Sequence, residues 1–454
     1  MKNLKLLAAM GAIAFYAIFS TVQSAFALTD GDWDFQLLND EVIITGYRGS
    51  ATEVVIPDTI YGKPVTGASF DTWSDSENIT KAVSIKIPGS IKIIGDFEDC
   101  ADLKTVTLSE GTEEISQYAF NNCKSLESIN LPSTVRVIGQ YAFEDCASLS
   151  RLDFPEGLQE IQREAFRDSG LKEADLSKTP ARIDSGMFYG CKSLKRVCLP
   201  ASITEIPYQL FYDCEALSDI EIPSGVTLIN GSAFCGCKSL HSIILPTSLK
   251  EIRPLAFSRC ERLKEAVIPY GTEEIQDSFG QCPALTAVYI PDTVNSLSRY
   301  ILSGSKNAIV YCTADSYTAR HCEQERISYL ADNSVNSDIT VLYNGKRISF
   351  TKYGQNPEIV NGRTLVPLRP IFEALGADIE WDENTSTVRA KRGYTEVKIQ
   401  IGAYEMFKND SSIPVDVSAQ LVNDRTMVPV RVIAEAFGAD VKWNESGRTV
   451  VINE

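Results

Sequence analysis

A Phe three residues before a Cys recurs through the middle of this chain at an almost constant interval. The pairs are Phe97/Cys100, Phe120/Cys123, Phe143/Cys146, Phe188/Cys191, Phe211/Cys214, Phe234/Cys237, Phe257/Cys260 and Phe279/Cys282, and Phe166/Ser169 fills the one gap. Successive Phe positions lie 22 or 23 residues apart. A period this regular restricts the chain to one supersecondary unit stacked many times, a solenoid. Each unit reads alike. A run such as Leu126-x-x-Ile129-x-Leu131-Pro132 places apolar residues alternately, as a strand facing a core does. Pro ends the run because it cannot donate to a ladder. An apolar pair (Val135, Ile138), a small-residue turn, Ala142-Phe143 and Cys146 follow. No unit buries its apolar positions alone, so the coils must stack, with parallel strands about 4.8 Å apart down one face.

This pattern resembles the BspA-type leucine-rich repeat, over roughly Val54 to Leu330. The resemblance implies a surface or secreted protein that binds other molecules and does not transform them.

The ends of the solenoid need covers. Lys2 and Lys5 precede an apolar run from Leu6 to Phe19, and Ala25-Phe26-Ala27 is a small-x-small cleavage site, so residues 1–27 read as a secretory signal peptide. After cleavage no membrane span is expected, and Thr449–Glu454 carries no visible sorting signal or anchor. Residues 28–52 contain two strand-like runs, Trp33–Leu38 and Val42–Tyr47, around Asn39-Asp40-Glu41, and predict an N-terminal cap hairpin. Residues 53–330 form the solenoid, interrupted by a surface loop at Thr72–Ala82. Its last coil departs from the pattern: strand Ile309–Cys312, a helix over Ser316–Arg326, and a closing strand Ile327–Leu330, similar to the family's C-terminal cap.

Residues 331–338 are small and polar and read as a linker. Residues 339–454 contain a duplication at an offset of 62: Asn361–Arg369 matches Asn423–Arg431, Glu373–Asp378 matches Glu435–Asp440, and Trp381 matches Trp443. Each half predicts a strand, a short helix starting near the Pro, a Gly stop and a hairpin through the Trp. This module resembles the copper amine oxidase N-terminal domain, or stalk domain. The resemblance does not imply copper binding or oxidation, since no oxidase catalytic domain is present. The fold class expected is α+β and multidomain: a leucine-rich-repeat solenoid with a parallel sheet, then a small duplicated α+β stalk domain.

The residues offer little to catalysis. The only two histidines, His241 and His321, fall in separate coils without a recognisable nucleophile motif. Gly-Thr-Glu-Glu occurs at Gly111–Glu114 and Gly271–Glu274, and its acidic pairs read as solvated repeat positions. No phosphate loop or metal motif is visible, and no cofactor or metal is expected. The formal charge of −17 becomes about −19 after loss of the two signal lysines, which suits solubility and excludes a nucleic-acid binder.

Twelve cysteines in an exported chain suggest disulfides. Eight of them, however, occupy one equivalent site per coil. Side chains about 4.8 Å apart and pointing the same way do not meet disulfide geometry. The ladder therefore reads as buried thiols. Cys312 and Cys322 lie off it, bracket the cap, and are the pair best placed for a disulfide.

In each strand the two residues flanking the central apolar one face outward, onto the concave surface. The middle coils present Arg151, Asp153, Glu173, Asp175, Arg196, Asp219 and Glu221, and the C-terminal coils present Ile244, Val267 and Tyr289. Exposed apolar residues in a row mark partner sites. These ten residues are the expected ligand-binding face. The expected partner is a protein or glycan on a cell surface or in the matrix, met outside the cell by a secreted or surface-associated protein. The alternative is an envelope structural protein whose stalk domain binds wall polymer, with the solenoid as spacer.

Overall fold

The computed structural model describes residues 28–69, 78–350, 352 and 354–454. The expected signal peptide lies outside the described residues, as does most of the loop expected at Thr72–Ala82. The remainder of that loop carries a 3-10 turn at Ile79–Lys81.

Most coils contribute two parallel strands. The longer ones form a ladder that runs through Glu53–Val55, Ser84–Ile87, Thr105–Leu108 and Ser128–Ile129. It resumes at Glu173–Asp175, Arg196–Cys198 and Asp219–Glu221, and again at Glu265–Val267, Ala287–Tyr289, Ile309–Cys312 and Tyr329–Ala331. Two-residue strands such as Glu114–Ile115 and Val137–Ile138 form a second ladder, with the Ile of each buried. The long ladder is interrupted twice where the sequence predicts strands, at Arg151–Asp153 and Ser242–Ile244. The first break falls in the unit that carries Phe154 where others carry Leu or Ile. Its ring packs edge-on against Phe166 at 5.7 Å. The second falls where the C-terminal module touches the solenoid.

Between the ladders runs the core. The nine repeat Phe side chains are all buried, and each stacks on the next with ring centroids 5.2 to 6.0 Å apart. A backbone turn prepares each Cys. The residue before it has a left-handed conformation, which Asp, Asn and Gly tolerate best: Asp99, Asn122, Asp145 and Asp213 have φ of 53–61°, and Asp168, before Ser169, has 52°. The thiols are more than small hydrophobes. From Cys123 onward each ladder thiol donates to the carbonyl of the repeat Phe in the coil before, as in Cys123 to Phe97 at 3.1 Å, Cys191 to Phe166 at 3.0 Å and Cys260 to Phe234 at 3.3 Å, whereas Cys100, the first, reaches the Ile79 carbonyl at 4.0 Å. One coil beyond the last ladder cysteine, the Ser305 hydroxyl makes the same bond to Phe279 at 2.7 Å. The periodic residue is thus a small donor that joins neighbouring coils.

The N-terminal cap is larger than a hairpin. Trp33–Leu38 and Glu41–Tyr47 pair antiparallel around the left-handed Asn39 and Asp40, as the sequence suggests. The sheet also takes in Leu28–Asp30, Thr59–Ile60 and Lys63–Ala68. At the other end, helix α1 (Tyr317–Glu325) starts on Ser316, whose hydroxyl accepts from the Ala319 N–H. Cys312 and Cys322, the pair expected to bridge, are both free and buried beneath this cap.

Residues 331–338 do not hang free as their polar composition suggests. Asn333–Asn336 forms a 3-10 turn. Val335 is buried against Ala287 and Tyr289, and the Asn336 side chain bonds Asp292 and Thr313.

The two copies in the C-terminal module meet through Arg363–Pro367 and Arg425–Pro429, paired antiparallel. Helices α2 (Leu368–Ala374) and α3 (Val430–Ala436) follow the prolines. The stops at Gly376 and Gly438 have positive φ. Both tryptophans lie in hairpins, Asp378–Asp382 with Thr387–Arg392 and Asp440–Asn444 with Thr449–Asn453. Thr340–Tyr343 pairs with Thr449–Asn453 and ties the start of the module to its end.

Three outcomes test this packing. Phe166→Ala removes a ring stacked on both sides, and should cost about 3–5 kcal/mol in denaturant unfolding. Eleven of the twelve cysteines are buried and only Cys198 is partly exposed. Alkylation of the folded chain near neutral pH, read by mass spectrometry, should therefore mark Cys198 alone. Burial also pushes the Cys191 thiol up to about 12 and that of Cys282 to about 11. A free thiol titrates near 8.5, so the folded chain holds these protons longer than the unfolded one. Stability is then undiminished below about pH 8.5 and falls as pH rises toward the folded values. Replacing Cys191 and Cys282 by Ser should flatten the alkaline fall in the unfolding midpoint; an unchanged fall contradicts the assignment.

Candidate functional site

Strand register fixes the face of the long ladder. Its outward side chains form two rows, because alternate residues of in-register parallel strands stack on their equivalents. In the middle coils one row runs Glu173, Arg196, Asp219 and the other Asp175, Cys198, Glu221. All of these except the partly buried Cys198 are exposed, as are Arg151 and Asp153 one coil earlier. Arg151 pairs with Asp153 at 3.0 Å within its own strand, and both side chains are more than 80% exposed (82% and 84%). Arg196 reaches Asp219 at 3.5 Å. Asp175 accepts from the Ser177 hydroxyl and N–H, which hold its carboxyl below the usual range. Five carboxylates against two guanidiniums make the strip acidic. The two coils on its N-terminal side carry uncharged side chains on this face, Ser128 and Asn130, then Thr105 and Thr107. There Asn130 spends its amide on the backbone N–H and carbonyl of Leu108, at 2.8 Å each, bridging one coil to the next.

The C-terminal part of the face differs from the sequence expectation. Ile244, Val267 and Tyr289 are not an exposed row. Tyr289 is buried and the other two are half-buried, because residues 331–347 and 444–449 lie over them. The Arg347 guanidinium sits 4.8 Å above the Tyr289 ring, and its own side chain is only 4% exposed. It faces Asp332 at 3.5 Å, and its backbone N–H donates to Glu265 at 2.6 Å. Burial raises the carboxyl of Glu265 and the hydroxyl of Tyr289. Farther along, the Thr247 N–H donates to the Ser446 carbonyl at 2.8 Å, and Asn444 reaches Glu221 at 3.4 Å. Seven of the ten expected face residues therefore stay open to solvent, and three are covered by the chain itself. A row of apolar residues reads as an open site when only its own strand is considered. The cover comes from segments up to about 200 residues later, and strand periodicity says nothing of it.

No second chemistry assembles here. Among the described residues no group of three His, Cys, Asp or Glu side chains converges as metal ligands. His241 is exposed, and His321 stacks on Tyr317 in α1. The Gly-Thr-Glu-Glu segments are coil joints: Glu113 and Glu273 pair with Lys92 and Lys250 of the coil before. Gly111 and Gly271 accept these lysines on their carbonyls and, at φ of 117° and 101°, adopt a backbone that suits glycine.

Comparison with known proteins agrees with this architecture. The family model of the BspA type leucine rich repeat region matches residues 76–195 and 181–309, and that of the copper amine oxidase N-terminal domain matches residues 342–452. A leucine-rich repeat protein from Bacteroides ovatus aligns over 63% of this chain and 71% of its own, at 23% identity and a TM-score of 0.50. A leucine rich cell surface protein from Faecalibacterium prausnitzii aligns over 67% and 98%, at 22% identity and a TM-score of 0.41. The pneumococcal vaccine antigen PcpA aligns over 69% and 100%, at 18% identity and a TM-score of 0.44. No curated protein matches. With its repeats spanning more than half of its length, the chain belongs to the BspA-type leucine-rich repeat family, a non-enzymatic family, and carries a copper amine oxidase N-terminal domain behind the solenoid.

Proposed function

We propose that this is an exported, non-catalytic recognition protein that binds a protein or glycan, on a cell surface or in the matrix, through the concave ladder face. The observation that carries the reading is the strip from Arg151 to Glu221. It presents charged side chains from consecutive coils in two rows on a backbone held by stacked rings, so little order is left to be gained on binding. Its excess of carboxylates favours partners with cationic groups, and its charge complementarity acts on approach and selection. The same strip disfavours nucleic acid. The family supports an extracellular setting. Among the described residues no helix is long and apolar enough to cross a membrane.

A second reading has its own observation. The C-terminal module exposes Trp381, Tyr394, Tyr404 and Phe407, with Tyr394 fully open. Aromatic side chains at a surface are available to a partner with an apolar face. In this reading the module holds wall polymer, and the solenoid acts as a spacer.

An array of matrix proteins, host glycans and wall polymers, probed with the full chain, separates the two. Glu173→Ala with Asp219→Ala changes only exposed side chains, so folding should be undisturbed. The recognition reading expects the principal hit to weaken by about tenfold or more in that variant and to weaken with added salt. Undiminished binding there, together with loss in Tyr394→Ser with Tyr404→Ser, would replace it with the second reading.

A further inference from the structure

The apolar end of the ladder face is covered by this chain's own later residues, and the cover bears marks of its place. We propose that residues 331–347 and 444–449 form a dedicated plug over the coils from Ser242 to Ile290, which makes the C-terminal module a fixed end wall of the concave face and not a mobile stalk. The inference goes beyond the recognition reading and stands without it.

The contact chemistry is specific. Arg347 is buried at the junction and pairs on one side with Asp332 and on the other with the face of Tyr289. Placing a guanidinium out of water is costly unless a carboxylate and a ring receive it, and both are supplied here. Tyr289 stacks in turn on Tyr311 at 4.9 Å. Polar contacts bound the apolar patch at each end, Asn444 with Glu221 and Asn336 with Asp292. Val335 fills the space between by packing on Ala287 and Tyr289.

The duplication supplies an independent argument. The hairpin turn of the second copy, Asn444-Glu445-Ser446-Gly447, touches the solenoid. A Cβ on Gly447 would lie 2.3 Å from the Cγ2 of Ile244 and 2.9 Å from the Leu245 carbonyl oxygen. At the offset of 62 the first copy carries Thr385 at this position. Gly447 is not among the residues with positive φ, so its own turn does not require glycine. Within its own module a Cβ there would meet the Asn444 Oδ1 at 3.3 Å. The copy that docks carries no side chain where it meets the solenoid.

Hydrogen exchange on the full chain tests the plug. In the wild type the amides of Thr247 and Arg347 should be protected, as should the peptides over 242–249 and 265–269. Gly447→Leu wedges the junction and should speed their exchange by about tenfold or more, while strands Thr387–Arg392 and Arg425–Pro429 keep their protection. Thr385→Leu, the same change in the copy that does not dock, should leave all of these rates alone. Should Gly447→Leu loosen strand Arg425–Pro429 as well, Arg347→Ala decides, with the same peptides read. Unprotected amides in the wild type, or junction rates unchanged in Gly447→Leu or, where that variant loosens its own module, in Arg347→Ala, would overturn the proposal.

Discussion

The structure depends on coil stacking at one repeated contact, a Phe ring on a Phe ring with a small donor bonded back to a Phe carbonyl. The ring contributes apolar area and the stacking geometry of aromatic pairs. The thiol or hydroxyl contributes direction. The carbonyl of Phe120 already accepts the Cys123 N–H and takes the Cys146 thiol on its other side, so the contact fixes the position of one coil relative to the next. A coil has no core of its own, and every further feature rests on this coupling, including the in-register rows of the ladder face. The thiol ladder also needs no oxidation to do its work, since each sulfur is used as a donor at the distance of the next coil.

The ladder face divides into regions of different character because its outward residues are free of the packing demand. The middle coils carry charge in the open. The last coils carry apolar and aromatic residues, and those are the ones that the chain covers. This division limits a partner to the part of the face before the Asn444–Glu221 contact. The C-terminal module then closes one end of the face and also exposes aromatic residues of its own.

The solenoid was legible because its signal is repeated. A Phe with a small donor three residues on, recurring every 22 or 23 residues, leaves little freedom in register, and the rows of Glu173 and Asp175 follow from strand alternation alone. The duplicated module was legible for the same reason, through its matching Pro, Gly and Trp positions. The cap sheet extended past the expected hairpin because Lys63–Ala68 pairs with a strand that precedes it by some twenty residues, and no periodicity links them. The fate of Ile244, Val267 and Tyr289 was hidden for a related reason. Exposure was inferred from the strand itself, whereas burial arises from a second body. The difference between Gly447 and Thr385 was the one mark of that contact in the sequence, and it takes meaning only once the turn is seen against Ile244.

Small-angle scattering from the full chain in solution reads out whether one rigid particle carries a face closed at its C-terminal end. A single conformation with residues 339–454 seated on the last coils should fit the profile. A profile that needs an ensemble, with the module swinging away from the solenoid about residues 331–338, would contradict it.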